Sequence, residues 1–169
     1  MLTAGVRAHV LADDGTIPNS RLPLLMYHRA VDLGGDDPLA AIEAILRTNG
    51  WGNGWRNGVF PYHHYHSTAH EVLVVYTGSA RVQFGGEEGI VASVAPEDVV
   101  IIPAGVGHKN LGASADFRVV GAYPHGQAWD ICYGRAGERP RADERIARVP
   151  LPSADPVFGG KGPLLAHWR

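Results

Sequence analysis

Residues 58–78 read GVFPYHHYHSTAHEVLVVYTG. This stretch holds four of the nine histidines, His63, His64, His66 and His70, and the carboxylate Glu71. Side chains on an extended strand alternate faces, so His64 and His66 point the same way, about 7 Å of chain apart. Two imidazoles so placed converge on one point, an arrangement that suits a metal ion. Four residues of turn, Ser67 to His70, then bring in Glu71 at the start of an antiparallel return strand. A further candidate ligand, His108, follows the turn PAGVG at 103–107. A turn one residue tighter would present His70 in place of Glu71, but Glu71 alone keeps the spacing to Gly78. His63 and His70 have the opposite strand parity and are expected to face away from the metal.

Outward from this stretch the chain reads as short apolar runs punctuated by glycine and proline. Strands are expected at 59–66, 71–77, 79–84, 90–95, 98–102, 107–112 and 117–123, separated by Gly78, Gly85-Gly86, Pro96-Glu97 and Pro103-Ala104-Gly105. Such regular spacing predicts an antiparallel sandwich or small barrel. Phe60, Val82, Phe84, Ile101, Phe117 and Val119 or Val120 read as its filling. On the N-terminal side, 6–11 and 22–31 read as strands. Residues 38–49 read as a helix, with Asp37 as cap, Pro38 at the first position, Gly50 at the close, and Leu39, Ile42, Ile45 and Leu46 on one face. GWGNGWRNG at 50–58 reads as a loop held down by Trp51 and Trp55; with no strand feeding it and no helix after it, a phosphate loop is a poor reading. Beyond Pro124, residues 134–148 look solvated. The tail from Pro150 still carries Val157, Phe158, Leu164, Leu165 and Trp168, so it must wrap over the rest of the chain or over a second subunit.

The residues at 58–78 and 97–112 resemble the cupin superfamily. Its first motif, G-x5-HxH-x3,4-E-x6-G, is met at every fixed position by Gly58, His64, His66, Glu71 and Gly78. Its second, G-x5-PxG-x2-H-x3-N, is met by Pro103, Gly105 and His108; Glu97 stands at the first glycine and Gly112 at the asparagine, with Asn110 two places earlier. The wording HYHSTAHEVL and PAGVGHKN is similar to a group of uncharacterised bacterial single-domain cupins. The resemblance implies an all-β fold, a double-stranded β-helix (jelly-roll) barrel with a short N-terminal helix packed outside. It implies His64, His66, Glu71 and His108 as metal ligands. It also implies a homodimer, with the N-terminal strand and C-terminal tail as natural swapping arms. The expected organisation is a single domain with three parts: an N-terminal arm at 1–58, a barrel core at 59–124 and a C-terminal extension at 125–169. Cupins include oxygenases, isomerases, decarboxylases, hydrolases and binding proteins, so fold leaves function open.

Composition narrows the setting. Hydrophobic residues are 45% and charged residues 19% of the 169, which excludes a disordered chain. A net charge of −2 without a basic stripe argues against nucleic acid or an anionic membrane as partner. No apolar run approaches the ~18 residues of a membrane helix, and the first fifteen residues lack a signal-peptide pattern. The one cysteine, Cys132, reads as a small buried apolar residue and permits no internal disulfide. The expectation is a soluble cytoplasmic protein that takes a small-molecule ligand or substrate.

Three imidazoles and one carboxylate suit a divalent transition metal, Fe, Mn, Ni, Zn or Cu, and no thiolate selects among them. Tyr62, which shares the parity of His64 and His66, and Asn110, two beyond His108, are expected to line the ligand pocket. No serine or cysteine sits in a nucleophile motif. The first functional expectation is a small metal-dependent enzyme of oxygenase or isomerase type acting on a small oxygenated molecule. The second is a binding or sensing protein that does no chemistry, with or without metal.

Overall fold

A computed structural model describes residues 5–169. Its elements are, in order, β1 (Gly5–Leu11), β2 (Ser20–His28), α1 (Pro38–Thr48), β3 (Trp51–Asn57), β4 (Glu71–Thr77), β5 (Ala80–Phe84), β6 (Ile90–Val94), β7 (Val99–Ile102), β8 (His108–Ala113), β9 (Arg118–Pro124), α2 (Arg141–Arg148) and α3 (Leu164–His167). The strands form two antiparallel sheets. One has six strands in the order β1-β2-β7-β4-β9-β3; the other has three, β6-β5-β8.

The strand β4 shows why the layers stack as they do. Val72 and Val74 point to one side, Leu73 and Val75 to the other, and all four are buried. A strand covered on both faces reads as a continuous apolar run. Val72 and Val74 join Leu25, Ile42, Leu46, Ile101, Val120, Leu164 and Trp168 in an outer core, beneath α1 and the C-terminal tail. Leu73 and Val75 join Val82, Phe84, Phe117 and Val119 in an inner core between the sheets. Glu71 has the parity of Leu73 and Val75 and therefore opens onto the space between the sheets.

The helix α1 is capped as its sequence requires. Asp37 accepts from the Ala40 N–H at 3.0 Å, Pro38 occupies the first turn, and Gly50 takes a positive φ of 79° just beyond the end. The tail is anchored through Asp155, which is fully buried. It accepts the Tyr27 hydroxyl at 2.6 Å and the backbone N–H groups of Val157, Phe158 and Leu164. The Trp168 indole N–H donates to Pro23 O at 2.9 Å.

The barrel implied by the resemblance is not formed. The fold is all-β in its framework, with two sheets and a strand order like that of a cupin jelly roll, but neither sheet closes on itself. The reason lies in residues 58–70, which are irregular apart from two isolated bridges, His64 to His108 and Tyr65 to Cys132. Pro61 has no N–H to give to a ladder, and only three backbone hydrogen bonds tie this segment to β8: Asn110 N–H to Phe60 O, and a reciprocal pair between His64 and His108. That is too few to continue the smaller sheet into the larger one.

Two other expectations change. The glycine-rich run after Gly50 is not a loop but the strand β3, which pairs with β9 through a bulge between Gly52 and Trp55. The outer edge of β9 offers hydrogen-bonding groups that need a partner, and this tertiary demand overrides weak local propensity. Residues 141–148 form the helix α2, whose Ala142 is buried against Ile17, Tyr65 and Cys132.

Candidate metal centre

His64, His66 and His108 come together as three buried imidazoles, each with a donor atom within 4.8 Å of the others. The bridge between the irregular segment and β8 creates this proximity. His64 N–H donates to His108 O at 3.3 Å and His108 N–H to His64 O at 2.9 Å. Residues directly opposed in this way carry adjacent side chains, and the two rings lie 4.0 Å apart between centroids. Two residues beyond His64, the backbone returns to β7's turn, where Gly105 N–H donates to His66 O at 2.8 Å. Gly105 has a φ of +93°, and a Cβ there would stand 2.4 Å from Asn19 O, so glycine alone fits.

The hydrogen bonds select one tautomer for all three rings. His64 Nδ1 lies 3.0 Å from Tyr62 O, His108 Nδ1 lies 3.2 Å from Val106 O, and His66 Nδ1 faces Asp130 O at short range. A carbonyl oxygen only accepts, so each Nδ1 carries the proton. Each Nε2 of a neutral ring then presents a lone pair. This pattern of Nδ1 donating to backbone carbonyls is how a ligating histidine is oriented.

Glu71 stands beside the triad, 2% exposed. Its Oε2 is 3.3 Å from His66 Nε2 and its Oε1 is 3.4 Å from His108 Nε2, while the tight cluster itself comprises the histidines alone. Lone pairs facing a buried carboxylate repel unless a cation or a proton lies between them. The donor set therefore fits a divalent transition metal, which the three histidines are positioned to chelate. Where a proton rather than a cation fills that space, on Nε2 of His66 or His108, burial raises the Glu71 carboxyl, but His66 in its charged form and the hydrogen bonds that His108 and His66 then donate outweigh it and hold the group below the usual carboxylate range. Burial likewise opposes charge on His66, yet the Glu71 carboxylate leaves its pKa raised. His64 is pushed down to about 3 by burial and by neighbouring His108, which keeps its lone pair free.

A cavity of about 310 Å³ opens over the triad, lined among others by Trp55, Phe60, Leu73, Tyr123 and Trp129. Tyr123 donates its hydroxyl to Glu71 Oε2 at 2.7 Å and accepts from the Trp55 indole N–H at 2.7 Å. Burial, together with the Glu71 charge, raises the Tyr123 pKa well above the ordinary phenol value. Trp55 reaches this position because Gly121 lies opposite it on β9. A Cβ at Gly121 would meet Trp55 Cε2 at 2.3 Å.

The other expected site residues fall as follows. Tyr62, expected to line the cavity, is 40% exposed and stacks on Phe60 but is not part of the cavity wall. The Asn110 side chain accepts from Gly112 N–H at 2.9 Å and is not part of the cavity wall. His63 pairs with Glu87 at 2.7 Å, and His70 accepts from Ala104 N–H at 2.9 Å while its ring packs on Trp168; neither joins the triad. Phe60, expected in the core, is 44% exposed at the mouth. Trp55, Tyr123, Trp129 and Asp130 went unrecognised as site residues. Asp130 matters through its backbone: Ser67 N–H donates to its carboxylate at 2.6 Å, fixing the loop whose carbonyl faces His66. Only the parity of Tyr123 along β9 carried any local signal for these four.

A two-sheet fold with a strand order like that of a cupin jelly roll, holding three histidines positioned to chelate a metal, defines the class of this protein. Within it, the chain belongs to the family of the uncharacterised protein YjlB of Bacillus subtilis strain 168, with which it is 45% identical over 163 residues, 96% of each chain. No family model matches the sequence. Among solved structures, it is similar to the dTDP-6-deoxy-D-glucose-3,5-epimerase of Legionella pneumophila, at 14% identity and a TM-score of 0.44 over 87% of this chain and 85% of that one. It is also similar to acireductone dioxygenase of Bacillus anthracis with cadmium in its active centre, at 17% identity and a TM-score of 0.38 over 53% and 59%. Both likenesses are loose. Among the described residues, no helix is long and apolar enough to cross a membrane.

Proposed function

We propose that this chain is a small metal-dependent enzyme, of oxygenase or isomerase type, acting on a small oxygenated molecule. The observation that carries the reading is the common tautomer of His64, His66 and His108, whose three Nε2 lone pairs are directed toward one region beside the buried Glu71 carboxylate. His64, His66 and His108 would hold the metal, with Glu71 as fourth ligand. A divalent transition metal there supplies Lewis-acid or redox chemistry at a substrate oxygen.

The chain's own residues supply the rest. The carbonyls of Tyr62, Val106 and Asp130 orient the three rings. Tyr123 holds one Glu71 oxygen by a hydrogen bond and keeps its own proton, since burial beside that charge disfavours ionisation. Trp55, Leu73 and Trp129 wall the cavity with apolar surface and limit water around the reacting atoms.

A second reading, a binding or sensing protein without turnover, is favoured by one observation. Beyond the proposed ligands and Tyr123, whose proton is committed to Glu71, the described cavity lining offers no free acid or base.

Elemental mass spectrometry of protein purified without an affinity tag tests the metal. Near-stoichiometric metal, lost in both His64→Ala and His108→Ala, is the expected result. A parent that stays empty after reconstitution with Fe(II), Mn(II), Ni(II) and Zn(II) would sink the enzyme reading. Dioxygen consumption with candidate substrates then separates an oxygenase from an isomerase or a binder.

A further inference from the structure

We infer that the cavity receives a planar aromatic molecule that presents oxygen donors to the metal; this rests on the metal-centre reading and narrows it. Two stacked aromatic pairs flank the triad. Phe60 and Tyr62 lie 5.1 Å apart at 11°, and Phe60 meets His64 edge-on at 5.3 Å. Tyr123 and Trp129 lie 6.0 Å apart at 21°, and Trp129 meets His66 edge-on at 5.3 Å. Each pair thus abuts a ligand histidine. Phe60 and Trp129, both in the cavity wall, are 44% and 41% exposed, and Tyr62, stacked on Phe60 beside that wall, is 40% exposed. Large aromatic rings left in water and gathered at the mouth of a pocket mark a binding surface.

Charge excludes the obvious competitors. Arg56 is the single cation among the described lining residues, and its Nε is bonded to Glu43 at 2.7 Å. Asn57 Oδ1 is taken by Gly58 N–H at 2.8 Å. Glu71 adds negative charge. Beyond a metal, a phosphate or a polycarboxylate would find in these walls only Arg56, whose charge is already paired with Glu43. A sugar, with a hydroxyl on nearly every carbon, would find few partners in walls that are mostly apolar rings, and each hydroxyl left unpaired costs binding energy. The cavity, about 310 Å³, lies at the small end of ligand pockets and suits a single substituted ring. Polar recognition then falls to the oxygens that meet the metal, and the ring is held by stacking and edge contacts.

Two hydroxamates isolate the effect, because they share one chelating head and differ in the body. Zinc-loaded protein is titrated by calorimetry with benzohydroxamate and with acetohydroxamate. Benzohydroxamate is expected to bind at least about tenfold more tightly. That ratio should shrink to about threefold or less in Trp129→Ala, with Phe60→Leu as a gentler second variant. Zinc content is measured on every sample and should not change, and a melting curve confirms that each variant is folded. Equal affinities in zinc-loaded parent protein overturn the aromatic class and leave the metal centre standing. A ratio unchanged in both variants overturns the role of the rings. A folded parent that takes up no zinc overturns the metal reading and this inference with it.

Discussion

The Tyr123 hydroxyl donates to Glu71 Oε2 at 2.7 Å from the neighbouring strand of the same sheet. Glu71 begins β4 and Tyr123 lies near the end of β9, so an ordinary antiparallel pairing delivers the bond. Tyr123→Phe removes the donor and leaves one oxygen of a buried charge without that partner. It also strips the Trp55 indole N–H of its acceptor. The expected cost is about 2–3 kcal/mol in urea unfolding. If Glu71 is a ligand, metal affinity should fall by about 10–100-fold. Unchanged stability together with unchanged metal affinity would show that Tyr123 holds nothing in place.

Gly121 is required by the ring that crosses it. Gly121→Ala would set a Cβ 2.3 Å from Trp55 Cε2, so Trp55 must move and its bond to Tyr123 must break. A loss of about 1–3 kcal/mol is expected, with a changed near-ultraviolet dichroism from the displaced indole. An unperturbed spectrum would place Trp55 elsewhere.

Glu97 occupies the position of the first glycine of the second cupin motif, and it takes a φ of +79°. Its neighbour in space, Arg29, is bonded to it at 2.9 Å and also has positive φ. Left-handed backbone costs a side-chain-bearing residue roughly 1–2 kcal/mol. The exposed ion pair returns less than about 1 kcal/mol. Replacing Glu97 by glycine relieves the strain but frees the unfolded backbone, so Glu97→Gly is expected to be neutral or stabilising by up to about 1 kcal/mol. A clear destabilisation in urea would contradict this balance.

Asp13 provides a pH dependence with a definite sign. The Arg139 guanidinium binds both its oxygens, Gly15 N–H adds a third bond, and the carboxyl is held down to about 2 from an ordinary 3.8. Its folded pKa lies below its unfolded one. The contribution is therefore complete above about pH 4 and is lost as the pH falls through about 2. Asp13 is roughly half exposed, so solvent screening limits the contribution to about 1 kcal/mol or less. Stability curves of parent and Asp13→Asn should run parallel from pH 5 to 8, converge toward pH 2, and lie closer together in high salt. A difference that grows on acidification would reverse the sign.

Legibility along the chain followed the range of the forces involved. The helix over Pro38–Thr48 was readable because its cap, first-turn proline and closing glycine all act within a few residues. Strands β4 to β9 were readable because the punctuating glycines and prolines act locally too. The strand β3 was not, since GWGNGWRN becomes extended only when β9 supplies its hydrogen-bonding partner. The reverse holds for 59–66, where an apparent strand stays irregular around Pro61. The resemblance suggested a barrel, but closure depends on ladder bonds across the whole sheet edge, and these are missing.

The spacing of His64, His66 and His108 and the glycines at 78 and 105 were written in the sequence, because motif geometry is set by residue type over short distances. So was the chemistry of the donors, nitrogen and oxygen without sulfur. What only the tertiary structure decided is how those donors are presented. The pairing of His64 with His108 spans 44 positions of chain, and the carbonyl that faces His66 belongs to Asp130, 64 residues away. The cavity wall gathers Trp55 from β3, Tyr123 from β9 and Trp129 from a loop. Nothing local links these residues. They meet because buried backbone groups and apolar faces had to be satisfied across the sheets, and that requirement is a property of the whole fold.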